Sequence, residues 1–86
     1  MALGRRYHFV GISGVGMSGL ASLLLALGKE ISGSDLKWSL EAEHLSSLGA
    51  SIHVGHAREH ISDDLDGVVV SSAIPSDNVE IVAARE

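Results

Sequence analysis

Residues 14–19 form the clearest chemical pattern in the sequence, G-x-G-x-x-G. In this pattern the first glycine makes a tight turn, the second lets the backbone approach a pyrophosphate, and the third lets a helix pack on a sheet. The pattern is informative between a strand and a helix, because free N–H groups at the helix start attract phosphate. Gly14, Gly16 and Gly19 therefore predict diphosphate binding. The alternative is that they serve only to pack helix against strand.

An acidic residue follows this loop at a useful distance. Asp35 lies about twenty residues after Gly14, where a carboxylate can hydrogen-bond a ribose hydroxyl. The alternative is an aspartate that only starts a turn. Together the loop and Asp35 predict a ligand with a diphosphate and a ribose. They leave NAD, a UDP-sugar and other nucleotides open.

The elements that must position these residues follow from the apolar pattern around them. Residues 7–12 form a short apolar run, which predicts a strand directly before the loop. Apolar residues at helical spacing predict a helix from Met17 to a terminal glycine, Gly28, and the leucines of 20–27 predict that it is mostly buried. A second strand is expected over 30–34, ending at Asp35.

The second half of the chain continues the alternation of strands and helices. A β-branched run over 67–71 predicts a strand buried on both faces of a parallel sheet. Ser76 or Asp77, after Pro75, is expected to cap a last helix. The other predicted elements are a helix from a cap at Ser39 to Gly49, a strand over 51–54 and a helical turn within 57–60. This order predicts an α/β fold with a doubly wound parallel sheet and right-handed crossovers.

Composition narrows the function classes. The 86 residues are 45% hydrophobic and 20% charged, which favours one globular domain over a disordered chain. The net charge of −5 argues against nucleic acid as a partner. The absence of cysteine excludes disulfides and thiolate zinc sites and favours the cytoplasm. The apolar stretch 20–27 is too short to span a bilayer, so no membrane partner is expected.

Two clusters of polar residues lead to no site by sequence reasoning. His53, His56 and His60 have suggestive spacing, but no carboxylate or thiol is placed to complete a metal site. We therefore expect surface or packing histidines and no metal. The acidic residues of 63–66 lack the spacing of a calcium loop and predict a solvated turn.

Longer segments of the chain are typical of one enzyme family. They cover His8–Ala21, Ser32–Asp35, Gly55–His56, Val69–Pro75, 77–78 and 83–86. These segments resemble the N-terminal domain of the Mur ligases, in particular those that join L-alanine to UDP-N-acetylmuramate in bacterial peptidoglycan synthesis. Ser13 departs from the pattern, since the family usually has glycine there.

The resemblance implies a Rossmann-like domain, residues 1–86, that holds the uridine diphosphate of UDP-N-acetylmuramate as part of a longer, three-domain ligase. L-alanine, ATP and Mg²⁺ would bind to the other domains, so residues 1–86 would contain no catalytic residue and be inactive alone. An NAD-binding domain of a dehydrogenase or regulatory protein, or a noncatalytic interaction module, stays open as an alternative.

The resemblance also implies a set of site residues. The loop backbone would meet the diphosphate, Asp35 the ribose or uracil, and His56 the uridine end, while two strand-end serines would line the same crevice. The full set is Gly14, Val15, Gly16, Met17, Ser18, Gly19, Asp35, His56, Ser71 and Ser72.

Overall fold

A computed structural model describes residues 4–86 as a four-stranded sheet with three helices. All strand pairs are parallel and the strand order is β3-β2-β1-β4. The elements are β1 (Arg6–Val10), α1 (Met17–Ala26), β2 (Glu30–Asp35), α2 (Leu40–Ser47), β3 (Ser51–Val54), a 3₁₀ turn (Arg58–His60), β4 (Gly67–Val70) and α3 (Val79–Ala84).

Helices lie on both faces of the sheet, which confirms the predicted doubly wound α/β fold. Successive residues of a strand point to opposite faces. Phe9 packs with Ala21 of α1 and Leu45 of α2 in the hydrophobic core, whereas its neighbour His8 contacts Glu80 of α3. The chain runs from β1 to β2 and β3 on one side, then returns to place β4 on the other. This order puts the topological switch point between β1 and β4, where ligands of such sheets bind.

The predicted ends of α1 and α2 are confirmed. Gly28 and Gly49 follow them with φ values of 83° and 106°, a left-handed conformation that suits glycine. Ser39 caps α2, since its side-chain oxygen accepts from the Ala42 amide at 3.0 Å.

The predicted cap of the last helix was wrong. Asn78, not Ser76 or Asp77, accepts the Glu80 amide at 2.8 Å. The reason is a turn after the proline, in which the Asn78 amide donates to the Pro75 carbonyl at 3.1 Å and delays the helix.

Two burial predictions were also wrong. Only Met17 and Ala21 of α1 are buried, while Leu20, Leu23 and Leu27 are exposed, because only one side of this helix packs on the sheet. Strand β4 is half-buried rather than buried on both faces, since it lies at a sheet edge in the described part of the chain. No helix within residues 4–86 is long and apolar enough to cross a lipid bilayer.

Candidate functional site

The glycine loop is folded as a series of tight turns at the carboxyl end of β1. The amides of Gly11 and Ile12 both donate to the Ser34 carbonyl of the neighbouring strand, at 2.9 and 3.1 Å. Gly14 then donates to the Gly11 carbonyl, and Met17 to the Gly14 carbonyl, each at 3.0 Å. These hydrogen bonds position the start of α1 near the switch point of the sheet. The strand ends at Val10 rather than the expected Ile12, because Gly11 turns the chain with φ 81°.

The start of α1 has the properties of an anion site. Its N-cap is Gly16, with φ 80°, and no side chain caps the helix. No acidic residue lies in its first turn. N–H groups at a helix start have no partner within the helix, and the helix dipole is positive there. This end of α1 can therefore donate to a phosphate without competition from a capping side chain or repulsion from a carboxylate.

The three glycines of the pattern differ in the structural reason for having no side chain. A Cβ atom at Gly14 would lie 3.0 Å from Ser71 Oγ and 3.1 Å from the Gly11 carbonyl, so a side chain there would crowd the loop. A Cβ at Gly16 would meet no atom within 4 Å, and its positive φ is the constraint. Gly19 is exposed and a Cβ there would also meet open space, so close packing of α1 on the sheet does not depend on it.

Met17 has a structural role within the loop. Its amide is already donated to Gly14, as described above, and its side chain is buried in the core with Phe9 and Ala21. Val15 stands at the tip of the loop with its side chain fully exposed, and Ser18 is half-buried on the first turn of α1.

Asp35 and Ser71 both lie beside the loop, as the strand-end pattern predicts. One carboxylate oxygen of Asp35 accepts the Ser13 amide at 3.0 Å, and the other accepts the Leu36 amide at 2.8 Å. Ser71 extends the β1–β4 ladder by donating its amide to Val10 at 3.0 Å. An open groove of about 250 Å³ lies between them, lined by Gly11, Ser13, Gly14, Asp35, Ser71, Ala73 and Ile74. Ser72 is exposed and outside this lining.

His56 lies next to Asp35 but points to the other face of the sheet. The Gly55 amide donates to the Asp35 carbonyl at 2.7 Å, which fixes the segment at the carboxyl end of β2. The Nδ1–H of His56 donates to Ser34 Oγ at 2.8 Å, and its side chain is only 10% exposed. Only Nε2 of His56 is therefore left to meet a ligand.

A buried polar cluster on this second face was missed by sequence reasoning. Its centre is Glu80 of α3, whose side chain is fully buried. One carboxylate oxygen accepts from His8 Nε2 at 2.6 Å and from Ser34 Oγ at 2.7 Å. The other accepts from the Ala57 amide at 3.0 Å and from His60 Nδ1 at 2.7 Å. The histidines therefore do have a carboxylate beside them, contrary to the prediction.

The charge state of this cluster follows from its hydrogen bonds. Burial raises the pKa of the Glu80 carboxyl, but hydrogen bonds from His60, Ser34, the Ala57 amide and His8 outweigh that effect and lower the pKa to about 2. Burial lowers the pKa of His8 despite the nearby carboxylate. The cluster thus holds an ionised carboxylate against a neutral His8 at neutral pH. The sequence contains one signal for this cluster. Glu80 stands early in the last helix, next to the apolar residue Ile81.

Comparisons with known proteins give one consistent result. A family model described as "Mur ligase family, catalytic domain" matches residues 6–86. A UDP-N-acetylmuramate–L-alanine ligase of Streptomyces avermitilis is 54% identical over 94% of this chain, and one of Solidesulfovibrio magneticus is 56% identical over 95%. The crystal structure of a UDP-N-acetylmuramate-alanine ligase of Thermotoga maritima superposes with a TM-score of 0.85 at 38% identity over 93% of this chain. That of a murein peptide ligase of Psychrobacter arcticus gives 0.82 at 30% identity over 94%.

The similar proteins are much longer than this chain. It spans 18% of the length of each of the two curated relatives and of the Thermotoga maritima protein, and 17% of the Psychrobacter arcticus protein.

Proposed function

Because the chain belongs to the Mur ligase family, we propose that its glycine loop and neighbouring strand ends bind the uridine diphosphate part of UDP-N-acetylmuramate, for an ATP-dependent ligase that adds L-alanine. The observation that supports this most is the uncapped start of α1, which follows directly on Gly14 of the groove between Asp35 and Ser71. A diphosphate and a ribose need donors and a carboxylate in this arrangement.

Different residues of the site contact different parts of the ligand. The diphosphate lies at the start of α1, where the amides around Gly16 donate to its oxygens and the helix dipole stabilises its charge. Ser71 lies close beside Gly14 and adds a hydroxyl on the β4 side of the groove. The net negative charge of the chain is no obstacle, because backbone dipoles rather than lysine or arginine supply the attraction.

Asp35 has two tasks at once. Its carboxylate accepts a hydrogen bond from the Ser13 amide and so fixes the start of the glycine loop. Each carboxylate oxygen can also accept a further hydrogen bond from a ribose or uracil donor. His56 approaches the same end of the ligand through Nε2, with its ring fixed by Ser34. The order of contacts along the groove is then diphosphate at α1, ribose at Asp35 and base toward His56.

The ligase reaction needs parts that these residues do not contain. The sequence has no G-x-x-x-x-G-K-[ST] segment, so we assign no ATP or Mg²⁺ site to it. L-alanine and ATP are partners of the whole enzyme, and residues 1–86 form its UDP-sugar-binding domain, inactive alone, in the cytoplasm.

Titration of the isotope-labelled chain followed by NMR tests the proposal. UDP-N-acetylmuramate and UDP should shift the amide signals of residues 11–19 and 35, and NAD should bind more weakly. Binding of NAD as strong as that of UDP, or UDP shifts centred away from the loop, would contradict the proposal and favour the dinucleotide alternative.

Substitution of Asp35 tests whether this residue contacts the ribose or uracil rather than the diphosphate. Asp35→Asn should weaken UDP binding about ten- to a hundredfold through loss of a charge-assisted bond, and pyrophosphate binding less. Asp63→Asn is the matched control, because it makes the same charge change on an exposed residue that precedes β4 and does not line the groove. Equal loss for both ligands would make Asp35 a support of the loop alone.

A further inference from the structure

Four of the five histidines of this chain gather around one carboxylate on the sheet face under α3. His8 and His60 contact Glu80 directly, at 2.6 and 2.7 Å. His56 Nδ1 lies 3.7 Å from the same carboxylate, and His53 stacks on His60 with ring centres 4.0 Å apart. The main hydrophobic cluster, around Phe9 and Leu45, lies on the other face of the sheet, so the imidazoles are not part of it.

The charge of Glu80 has no permanent cation beside it. In the described residues, imidazoles are the only basic groups within 4 Å of this carboxylate, and no lysine or arginine reaches it. Its remaining hydrogen-bond donors are a hydroxyl and a backbone amide, which are neutral. A buried charge is ordinarily paired with an opposite charge or coordinated to a metal.

We propose that His8, His60 and Glu80 bind a divalent transition-metal ion of the zinc type. The three residues offer ligand atoms that lie within 4.8 Å of one another. Two imidazoles and one carboxylate are a ligand set that zinc uses, and they leave a fourth position for water. None of the three ligand residues lines the nucleotide groove, although His56 lies beside Glu80, and the existence of the site does not depend on the proposed function.

The surroundings of the ligands suit coordination. His8 would bind through Nε2 while its Nδ1 bonds Ser32 Oγ, now at 2.7 Å, the kind of second partner that orients a metal-bound histidine. Zinc bonds of about 2.0–2.1 Å require ligand atoms roughly 3.3 Å apart. The carboxylate, now 2.6 and 2.7 Å from the two imidazoles, must therefore withdraw, and any ligand atoms now as far apart as 4.8 Å must close to that spacing. The side chain of His60 is 17% exposed and gives the ion a path from solvent.

Imidazole ligands also decide which ions fit. Nitrogen donors favour zinc, cobalt and nickel over Mg²⁺ and Ca²⁺, which prefer oxygen. The ion is therefore of a different class from the Mg²⁺ expected with ATP.

Zinc titration of the untagged, chelator-treated chain at pH 7.5 tests the proposal. Calorimetry should show one Zn²⁺ per chain, and NMR signals of the His8 and His60 ring nitrogens should change. His60→Asn is the decisive variant, because the amide nitrogen of asparagine keeps a donor to Glu80 where Nδ1 stood but is a poor zinc ligand. It should melt near the wild-type temperature and bind zinc at least about tenfold more weakly.

His44→Asn is the matched control, because His44 is exposed on α2 and outside the cluster. It should bind zinc as the wild type does. Absence of saturable binding, or equal affinity in His60→Asn, would overturn the proposal. So would ring-nitrogen spectra that show a doubly protonated imidazole beside Glu80 and no response to zinc, because a protonated histidine would then supply the missing charge.

Discussion

Replacing Gly16 by alanine separates the backbone role of this glycine from its role in binding. Gly16 and Gly28 have nearly the same conformation, with φ 80° and 83°, and an added Cβ meets no atom within 4 Å at either position. They stand at opposite ends of α1, and only Gly16 belongs to the glycine loop at the helix start. Gly28→Ala is therefore a matched control for the strain that Gly16→Ala introduces.

The expected stability loss is the same for the two variants. Holding alanine in the left-handed region costs about 1–2 kcal/mol, and the lower entropy of the unfolded chain returns about 0.4–1 kcal/mol. A net loss of about 1 kcal/mol lowers the melting temperature of a domain of this size by about 4–8 °C. Thermal unfolding followed by circular dichroism measures the melting temperatures of both variants.

The binding results should differ sharply. In Gly16→Ala the added methyl group should hinder the close approach of the diphosphate to the loop backbone. UDP should therefore lose charge-assisted hydrogen bonds and bind about ten- to a hundredfold more weakly. Gly28→Ala should bind UDP as the wild type does. Wild-type affinity in Gly16→Ala would refute the assignment of the diphosphate to this helix start. A similar loss in both variants would show that strain, not approach of the ligand, controls binding.

Three further substitutions test the packing and the charges of the fold. Gly33→Ala should destabilise the chain by about 1–3 kcal/mol in urea unfolding, because its Cβ would lie 2.8 Å from the Ile12 Cβ in the core; unchanged stability would contradict the close approach of Ile12 to β2. Gly19→Ala should stabilise the chain by about 0.5–1 kcal/mol, since it fills open space on a helix, and destabilisation would instead support the packing role expected from the glycine pattern. Hydrogen bonds from the Arg6 and Arg5 amides hold the pKa of Asp66 below its usual 3.8, so its stabilising effect is present above that pH and is lost as the pH falls. Asp66→Asn should therefore melt below the wild type at pH 7, with the difference shrinking below pH 4, and a constant difference would show that its charge is not involved.

Sequence alone determined those features that depend on near neighbours in the chain. Strand β3, the cap at Ser39 and the helix-ending glycines were predicted correctly, because turn and capping preferences act over a few residues. The placement of the glycine loop between β1 and α1, and of Asp35 at the end of β2, follows from the same short-range rules. The resemblance to the Mur ligases is visible in the sequence for a related reason, because it rests on contiguous segments of the chain.

Tertiary structure alone decided which surfaces meet. The leucines of α1 form an apolar stripe that predicts burial, yet the sheet covers only one side of the helix and leaves Leu23 and Leu27 exposed. Gly14 and Ser71 are far apart in sequence and come within contact because β1 and β4 are neighbours. The cluster around Glu80 has the same origin: His8, His60 and Glu80 come from β1, a 3₁₀ turn and α3. Apart from the glutamate early in α3, no local pattern marks this site, because its hydrogen bonds form only after the parallel sheet has brought distant segments onto one face.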